Sequence, residues 1–350
     1  MYGDFAGVQD GEDLRVSAFL RDENLANRVT KRDQVMKAIE FDEPDYVPVY
    51  LFNRDFQDSD IVSFDIQHHF QGPGRDISEW GFRWRRLDET MGQPTDLLVK
   101  SWDEFDDWAS PDPFRMDRFA GLDAFLAEYP EHFRLASLAL SGFTTMSFLR
   151  GFDNLMVDLI DRPDGVMRLA DRVFGFENDL IRSLPANSFD AVAFFDDWGT
   201  QSGPIISPHL WREVFKPLYL HQFEEVHRRN LYVYFHTCGQ VSPIIPDLIE
   251  CGVDVLNISQ PNLYDIPQLG ERYGGRVCFV CPVSYQTTSI TGTPADIYRD
   301  VQEVVDHLGR FNGGLIGYAE EYGSIGMPDE NYLACVTAFR ELGRLQTERV

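Results

Sequence analysis

Hydrophobic and polar positions follow two different periods along most of the chain. Short runs of β-branched and aromatic residues, typical of buried strands, are followed by segments in which apolar residues recur at helical spacing. The runs lie at 46–52, 134–140, 191–197, 231–237, 253–259, 276–282 and 314–320. This pattern predicts a strand at each run, with helices between them from residue 141 onward.

The predicted helices carry recognisable end signals. Segments 207–229, 241–252, 265–274 and 293–309 each have a Ser, Asp or Thr near the start, often next to Pro, and several end near Gly. These residue types are favoured at helix ends. A further helix is predicted over 329–343, and Thr30 is placed to cap one that includes Val35, Met36 and Ile39.

Repeated strand–helix units require crossovers between parallel strands, and strands that are apolar on both faces suit a covered parallel sheet. No Gly-rich phosphate loop opens the first unit, which argues against a doubly wound nucleotide-binding fold. We therefore expect an α/β protein, a (β/α)8 TIM barrel with a decorated N-terminal half, over residues 29–350. Residues 1–28 are polar and aperiodic, and we expect them to form an N-terminal arm.

The charge of the chain limits its partners. With 57 acidic and 31 basic side chains the formal net charge is -26, and 43% of residues are hydrophobic. Apolar content at this level excludes disorder over most of the chain. Without a basic stripe the protein is not expected to bind nucleic acid or an anionic membrane surface.

Location follows from features that the sequence lacks. No apolar run approaches the ~20 residues that span a bilayer, and the acidic N-terminal segment does not resemble a signal peptide. The five cysteines are scattered and odd in number, which is a poor basis for a disulfide framework. We expect a cytoplasmic protein.

In a barrel of this kind the reacting groups lie at the carboxyl ends of the strands. His236 and Cys238 are two residues apart, so in an extended strand their side chains leave on one face, and imidazole with thiolate is a zinc-type pair. The alternative is that both residues only pack in the core. The other polar groups and cysteine predicted at strand ends are Asn53, Asp196, Asp197, Ser259, Gln260, Cys281, Glu320 and Glu321.

Two further features allow more than one interpretation. Asp196 and Asp197 either cap a loop or act on a substrate as proton-transfer or orienting groups. Cys278 and Cys281 form a CxxC pair, but three residues along a strand their sulfurs face opposite sides, which disfavours a redox or zinc-knuckle motif. We expect Cys278 to pack in the core and Cys281 to lie near the barrel mouth.

Several motifs in order resemble one family. The segments at 195–217 (FDDWGTQSGPIISPHLWREVFKP), 235–260 (FHTCGQVSPIIPDLIECGVDVLNISQ) and 291–297 (TGTPADI), with PDEN at 328–331, are similar to the uroporphyrinogen decarboxylase superfamily. That superfamily includes the decarboxylase and zinc-dependent, corrinoid-linked methyltransferases. The resemblance covers about residues 143–345 and implies a (β/α)8 barrel.

The resemblance favours the methyltransferase branch. The decarboxylase carries an arginine-containing RQAGR motif after the first strand, whereas this chain has LFNRDFQDSD at 51–60, in which aspartates surround Arg54. An anionic tetrapyrrole would bind there unfavourably. The methyltransferases hold zinc with a His-x-Cys pair, matched by His236 and Cys238, and a distant cysteine, whose position here falls on Glu321.

What the resemblance implies is a zinc-dependent methyltransferase. Its metal ligands would be His236, Cys238 and Glu321, with Cys281 and Glu320 in reserve, because a slip of one residue reverses which glutamate faces inward. A carboxylate ligand makes the site harder and suits an oxygen substrate, such as a methyl ether, at least as well as a thiol. Corrinoid would be carried by a separate protein, and a homodimer is expected.

Around the metal, we expect Asp196 and Asp197 to be catalytic, and Asn53, Gln260, Trp198 and Tyr318 to bind the substrate. Two alternatives stay open. One is a metal-free lyase like the decarboxylase, in which an aspartate stabilises a cationic intermediate. The other is a non-catalytic descendant that binds a ligand or a partner protein.

Overall fold

The computed structural model describes residues 29–52, 56–67, 76–85, 92–103, 105–320 and 326–347. The predicted arm at residues 1–28 lies outside this part of the chain, so the division into an arm and one barrel stays a prediction. No helix within the described part is long and apolar enough to span a bilayer. The cytoplasmic location also stays a prediction.

Eight parallel strands form a nearly closed barrel, which confirms the predicted (β/α)8 fold. Their order around the sheet is β1-β10-β9-β8-β7-β6-β5-β2, and a small antiparallel ribbon of β3 and β4 lies apart from them. The strands are β1 (Val49–Phe52), β2 (Ile61–Asp65), β3 (Trp84–Arg85), β4 (Gln93–Pro94), β5 (Phe133–Leu140), β6 (Ala191–Phe195), β7 (Tyr232–Thr237), β8 (Val255–Ile258), β9 (Cys278–Pro282) and β10 (Leu315–Glu320).

Side chains, in addition to the backbone, connect the first two strands. The backbone N–H of Val49 donates to Asp60 Oδ2 at 2.8 Å, and that of Leu51 donates to Ser59 Oγ at 3.0 Å. The Asp60 N–H returns a bond to the Val49 carbonyl at 2.9 Å. These bonds link β1 to β2, which form the two ends of the sheet in the described part of the chain.

Alternation along the strands separates two apolar layers. Inward-facing residues such as Tyr50, Tyr234 and Tyr318 form a compact cluster inside the barrel. Residues of the opposite parity, such as Phe235 and Cys281, pack with the surrounding helices. Strands buried on both faces are what the continuous apolar runs predict.

The helices surround the strands and have the following bounds: α1 (Lys31–Glu40), α2 (Leu122–Glu128), α3 (Gly142–Arg150), α4 (Phe152–Asp161), α5 (Pro163–Ser183), α6 (Pro208–Val214), α7 (Lys216–His227), α8 (Ile245–Cys251), α9 (Ile266–Tyr273), α10 (Thr288–Thr291), α11 (Pro294–Leu308) and α12 (Asp329–Thr347). Four of the predicted N-caps are confirmed: the side chains of Thr30, Ser207, Asp265 and Thr293 each accept a backbone N–H of the first turn.

Two helix predictions need correction. The segment 207–229 is divided into α6 and α7, with Phe215 between them and Pro217 in the first turn of α7, because proline lacks the N–H that a continuous helix would use. The segment 241–252 begins with a 3-10 turn, and α8 starts after Ile244 without a side-chain cap. Ser242 is therefore not the N-cap of α8.

Candidate metal and substrate site

The candidate site lies where β6 and β7 end. Phe195 pairs with His236 in the parallel ladder between these strands, and the ring centroids of the two residues are 5.0 Å apart. Two residues further along each strand come Asp197 and Cys238, so the alternation of the two strands carries all three polar groups to the same end of the barrel. The arrangement follows from strand register.

Three potential metal ligands meet there. His236 Nε2 lies 3.7 Å from Cys238 Sγ and 3.8 Å from Asp197 Oδ1. One ligand atom from each residue lies within 4.8 Å of the other two, and all three residues are partly exposed. Nitrogen, sulfur and oxygen donors in this arrangement fit a divalent ion of the zinc type.

The orientation of the imidazole is set by an amide on the next strand. His236 Nδ1 lies 2.5 Å from Asn257 Oδ1, and Asn257 Nδ2 donates to the Val280 carbonyl at 2.9 Å. Because that second bond directs the amide oxygen toward the ring, Nδ1 carries the proton and donates. The lone pair is then on Nε2, the nitrogen that faces Asp197 and Cys238.

Cys238 has contacts that suit a ligand held in place. Ser259 Oγ donates to its sulfur at 3.2 Å, and its backbone N–H donates to Asp197 Oδ1 at 2.9 Å. Burial, followed by the charge of Asp197, raises the pKa of the Cys238 thiol well above its usual value. The free protein therefore favours the neutral thiol, and a bound cation would be needed to favour the thiolate.

The turn after Cys238 requires glycine. Gly239 has a φ of +76°, and a Cβ there would lie 2.1 Å from the carbonyl carbon of Gly199. Its N–H donates to Gln260 Oε1 at 2.8 Å, and its carbonyl accepts from Tyr264 Oη at 2.6 Å. Gln260, predicted to bind the substrate, therefore holds the turn that presents Cys238.

The structure corrects the predicted placement of Asp196. Its carboxylate is fully buried and accepts from the N–H groups of Phe143 (2.9 Å) and Thr144 (2.8 Å), from Thr144 Oγ1 (2.8 Å) and from Tyr219 Oη. Burial raises the pKa of Asp196 to about 7, and these hydrogen bonds oppose that shift. Asp196 faces the first turn of α3, away from the barrel mouth, and has a structural role.

Trp198 is likewise corrected, because it does not line the mouth. The residue is fully buried in the outer core, where its ring stacks on Phe143 with centroids 4.3 Å apart. Its Nε1 donates to Tyr219 Oη at 2.8 Å. Asp196 and Trp198 therefore serve the helix layer, and Asp197 between them is the residue of this segment that reaches the site.

The end of β10 contributes an acidic group to the inner face. Tyr318, predicted to bind the substrate, lies in the inner cluster, and its Oη donates to Glu320 Oε2 at 2.7 Å. The charge of Glu320 also acts on Cys238. Glu320 thus faces the interior of the barrel, whereas Glu321 and Asn53 lie outside the described residues.

Cys281 is placed on the opposite face of its strand from the one expected. It is fully buried in the outer core, while Cys278 and Val280 occupy the inner cluster. Alternation along β9 therefore removes the reserve ligand Cys281 from the mouth. Cys278 packs in the core, as predicted.

Sequence reasoning did not single out Asn257, although it orients the histidine. The feature that could have identified it is the position of an amide within an otherwise apolar strand, where a polar group without a hydrogen-bond partner is costly. Thr144 was missed for a different reason. Its Oγ1 accepts the Asp197 N–H at 3.0 Å, but nothing local connects two residues so distant in sequence.

Comparison with known families agrees with this architecture. A family model described as uroporphyrinogen decarboxylase (URO-D) matches residues 94–340. The chain belongs to the uroporphyrinogen decarboxylase family. This URO-D match begins upstream of the motifs that carry the resemblance in sequence. None of the curated proteins compared with the chain matches it in sequence.

Solved structures similar to this URO-D chain include a methyltransferase from Methanosarcina mazei. The similarity covers 90% of this chain and 99% of that one, at 16% identity and a TM-score of 0.66, and supports the fold. An endo-beta-1,4-xylanase from Gloeophyllum trabeum is similar over 63% of this chain and 80% of its own, at 11% identity and a TM-score of 0.39. A chitinase from Chromobacterium violaceum is similar over 84% of this chain and 98% of its own, at 10% identity and a TM-score of 0.40.

Proposed function

We propose that this protein is a zinc-dependent methyltransferase that moves a methyl group between a small substrate and a corrinoid held by a separate protein. The observation that carries the proposal is the convergence of His236, Cys238 and Asp197 at the barrel mouth. Membership of the URO-D family and similarity to a structure described as a methyltransferase support it. A methyl ether or a thiol is the substrate class that we favour.

The donor atoms at the mouth suit the ion. His236 and Cys238 would hold zinc together with one carboxylate, which leaves a fourth position open to the substrate. Bound zinc supplies Lewis acidity toward the atom that loses or gains the methyl group. With one carboxylate in place of a second thiolate, the bound zinc would be a harder Lewis acid. The range of substrates would then include those that bind through oxygen.

The chain itself would position and select the substrate. Phe52, Phe195 and Tyr318 form an aromatic layer at the base of the mouth, with the Phe52 ring 6.2 Å from each of the other two. Glu320 and the exposed Asp65 end their strands at the same edge. Aromatic faces with nearby carboxylates favour a flat, neutral or cationic molecule and disfavour a polyanion.

Metal content and methyl transfer together test this function. We expect the purified protein to hold roughly one zinc per chain, and His236→Ala and Cys238→Ser to lose it. The matched controls are His209→Ala, on an exposed part of α6, and Cys335→Ser, in α12. Methyl transfer would be followed by corrinoid absorbance, with methyl ethers as donors to cobalt(I) and thiols as acceptors from methylcobalamin.

Two results would overturn the proposal. Turnover of a carboxylated substrate by zinc-free protein would support a metal-free lyase. Absence of zinc and of methyl transfer, with ligand affinity unchanged in His236→Ala and Cys238→Ser, would support a non-catalytic binding protein.

A further inference from the structure

The third metal ligand can be identified from the distances at the mouth. A tetrahedral ion bound at about 2.0–2.3 Å has neighbouring ligand atoms roughly 3.3–3.6 Å apart. The observed separations from His236 Nε2 are 3.7 Å to Cys238 Sγ and 3.8 Å to Asp197 Oδ1. The third pair, Cys238 Sγ and the Asp197 carboxylate, lies within 4.8 Å, so side-chain movements of about 1 Å would let the three atoms share one tetrahedral ion.

The backbone already holds Asp197 beside the thiol. The Cys238 N–H donates to Asp197 Oδ1 at 2.9 Å, and the Asp197 N–H donates to Thr144 Oγ1 at 3.0 Å. Thr144 in turn donates to the buried Asp196. Asp197 is thus held through both its carboxylate and its backbone N–H.

The same distances would also suit a cysteine nucleophile with a histidine base and an asparagine orienter. The position of Asp197 favours the metal site. Its Oδ1 lies 3.8 Å from His236 Nε2, the nitrogen that also faces Cys238 Sγ, so three donor atoms converge on one point, which a cysteine nucleophile does not require. With a divalent cation, one thiolate and one carboxylate neutralise the ion, while the imidazole contributes no charge.

We infer that Asp197 is a direct oxygen ligand of the metal ion, so that it joins His236 and Cys238 as a ligand from the adjacent ends of β6 and β7. This inference rests on the metal site of the proposed function, but its test measures metal affinity and not methyl transfer. Among the described residues, Glu320 does not join the group of mutually close ligand atoms. Its carboxylate accepts the Tyr318 hydroxyl instead.

The test is a zinc titration of chelator-treated protein against a chromophoric competitor. Asp197→Asn is the main variant, because its amide oxygen can still accept the Cys238 N–H while an amide is a weak zinc ligand. We expect a larger loss of affinity than the about 10–100-fold typical of losing an outer-shell partner. Glu320→Gln is the matched control and should bind zinc within a few-fold of the parent.

Two further measurements keep the outcome interpretable. Melting curves recorded with chelator should coincide for the parent and Asp197→Asn, which would show that the fold is intact. With Co²⁺ in place of zinc, the visible spectrum should change in Asp197→Asn and stay unchanged in Glu320→Gln. Asp197→Glu should recover part of the affinity because it restores a carboxylate.

Zinc binding by Asp197→Asn at parental affinity, or a loss confined to Glu320→Gln, would overturn the inference. If His236→Ala nevertheless lost zinc, the metal site of the proposed function would stand with a different third ligand. Loss of zinc in Asp197→Asn without methyl transfer in the parent would support the ligand assignment and contradict the transferase. The ligand assignment of Asp197 and the methyltransferase function can therefore be refuted independently.

Discussion

At His236 the chemistry of the ring depends on one neighbouring amide. Asn257 fixes which nitrogen carries the proton, because its own N–H is committed to the Val280 carbonyl. An orienting partner of this kind pre-arranges the ligand lone pair before the ion arrives. Asn257 lies on β8, opposite His236 in the ladder between β7 and β8.

We predict that Asn257→Ala lowers zinc affinity by about 10–100-fold while leaving the three ligands in place. The physical reason is that Nδ1 loses its acceptor, so the ring is free to rotate or to carry its proton on Nε2. The competitive zinc titration measures the change. The control is Asn154→Ala, an exposed amide on α4 whose Nδ2 donates to the Arg150 carbonyl; an equal loss there would contradict the orienting role.

Among the elements, α3 has an N-terminus that is satisfied by distant carboxylates instead of a local cap. Ser141 makes no capping bond. Instead the Gly142 N–H donates to Glu177 Oε1 at 2.8 Å, and the next two N–H groups donate to Asp196. The side-chain oxygens of Glu177 and Asp196 thus accept the N–H groups that the first turn of the helix leaves without a partner in the helix.

Close approach of Asp196 explains the glycine that begins α3. Gly142 has a φ of +49°, and a Cβ there would lie 2.2 Å from Asp196 Oδ2. We predict that Gly142→Ala destabilises the protein by about 1–2 kcal/mol for the left-handed backbone alone, with the clash added. The midpoint of urea unfolding, followed by circular dichroism, gives the measurement.

The matched control for that substitution is Gly175→Ala in α5, where an added Cβ meets nothing within 4 Å. Removing a glycine from a helix interior should raise stability by about 0.5–1 kcal/mol. Opposite signs for the two variants are expected. If Gly142→Ala matched Gly175→Ala in stability, the close packing at α3 would be refuted.

Elements with strong local signals could be predicted from the sequence. The apolar run at 231–237 forms β7, and Thr30 is the N-cap of α1, both as predicted. These predictions succeed because the spacing of apolar residues and the capping side chain are local properties of the sequence. The short strand β2 (Ile61–Asp65) was missed because Ser63 and Asp65 interrupt its apolar pattern. It forms through pairing with β5, a long-range contact.

The residues of the site likewise include some that the sequence predicts and some that it does not. The two-residue spacing of His236 and Cys238 placed both on one face, since alternation is a local rule. The sequence does not show whether Asp196 or Asp197 faces the mouth, because neighbouring residues point to opposite faces and either face could be the inner one. The register of β6 against β7 decides it in favour of Asp197.

For the molecule as a whole, an acidic protein must also accommodate buried carboxyl groups behind the site. Glu177 is fully buried, and Gln222 Nε2 donates to its Oε2 at 2.8 Å. Burial raises the pKa of Glu177 to about 8, with hydrogen bonds from Gln222 and Gly142 opposing the shift. The charge of Asp196 raises the pKa of Glu177 further.

This burial makes global stability depend on pH. In the unfolded chain a glutamate titrates near its usual pKa of about 4.3, whereas the folded Glu177 keeps its proton to about pH 8. Between these values the folded state binds the extra proton, so stability falls as pH rises through the window. We predict that Glu177→Gln, which imitates the protonated acid, makes the decline in melting temperature between about pH 5 and pH 9 shallower.

The variant is expected to be the more stable protein at high pH, because only the parent must then ionise a buried carboxyl group or open the structure. The amide introduced by Glu177→Gln can still accept the Gly142 N–H through its oxygen, and its nitrogen can donate to Gln222 Oε1 once the Gln222 amide turns over. Since Asp196 is retained in both proteins, the difference between their melting profiles reports the removal of the Glu177 carboxyl group, including its effect on Asp196. Glu271→Gln, at an exposed position of α9, is the control and should reproduce the parental profile. Parallel profiles for Glu177→Gln and the parent would mean that Glu177 is already ionised in the folded protein at neutral pH.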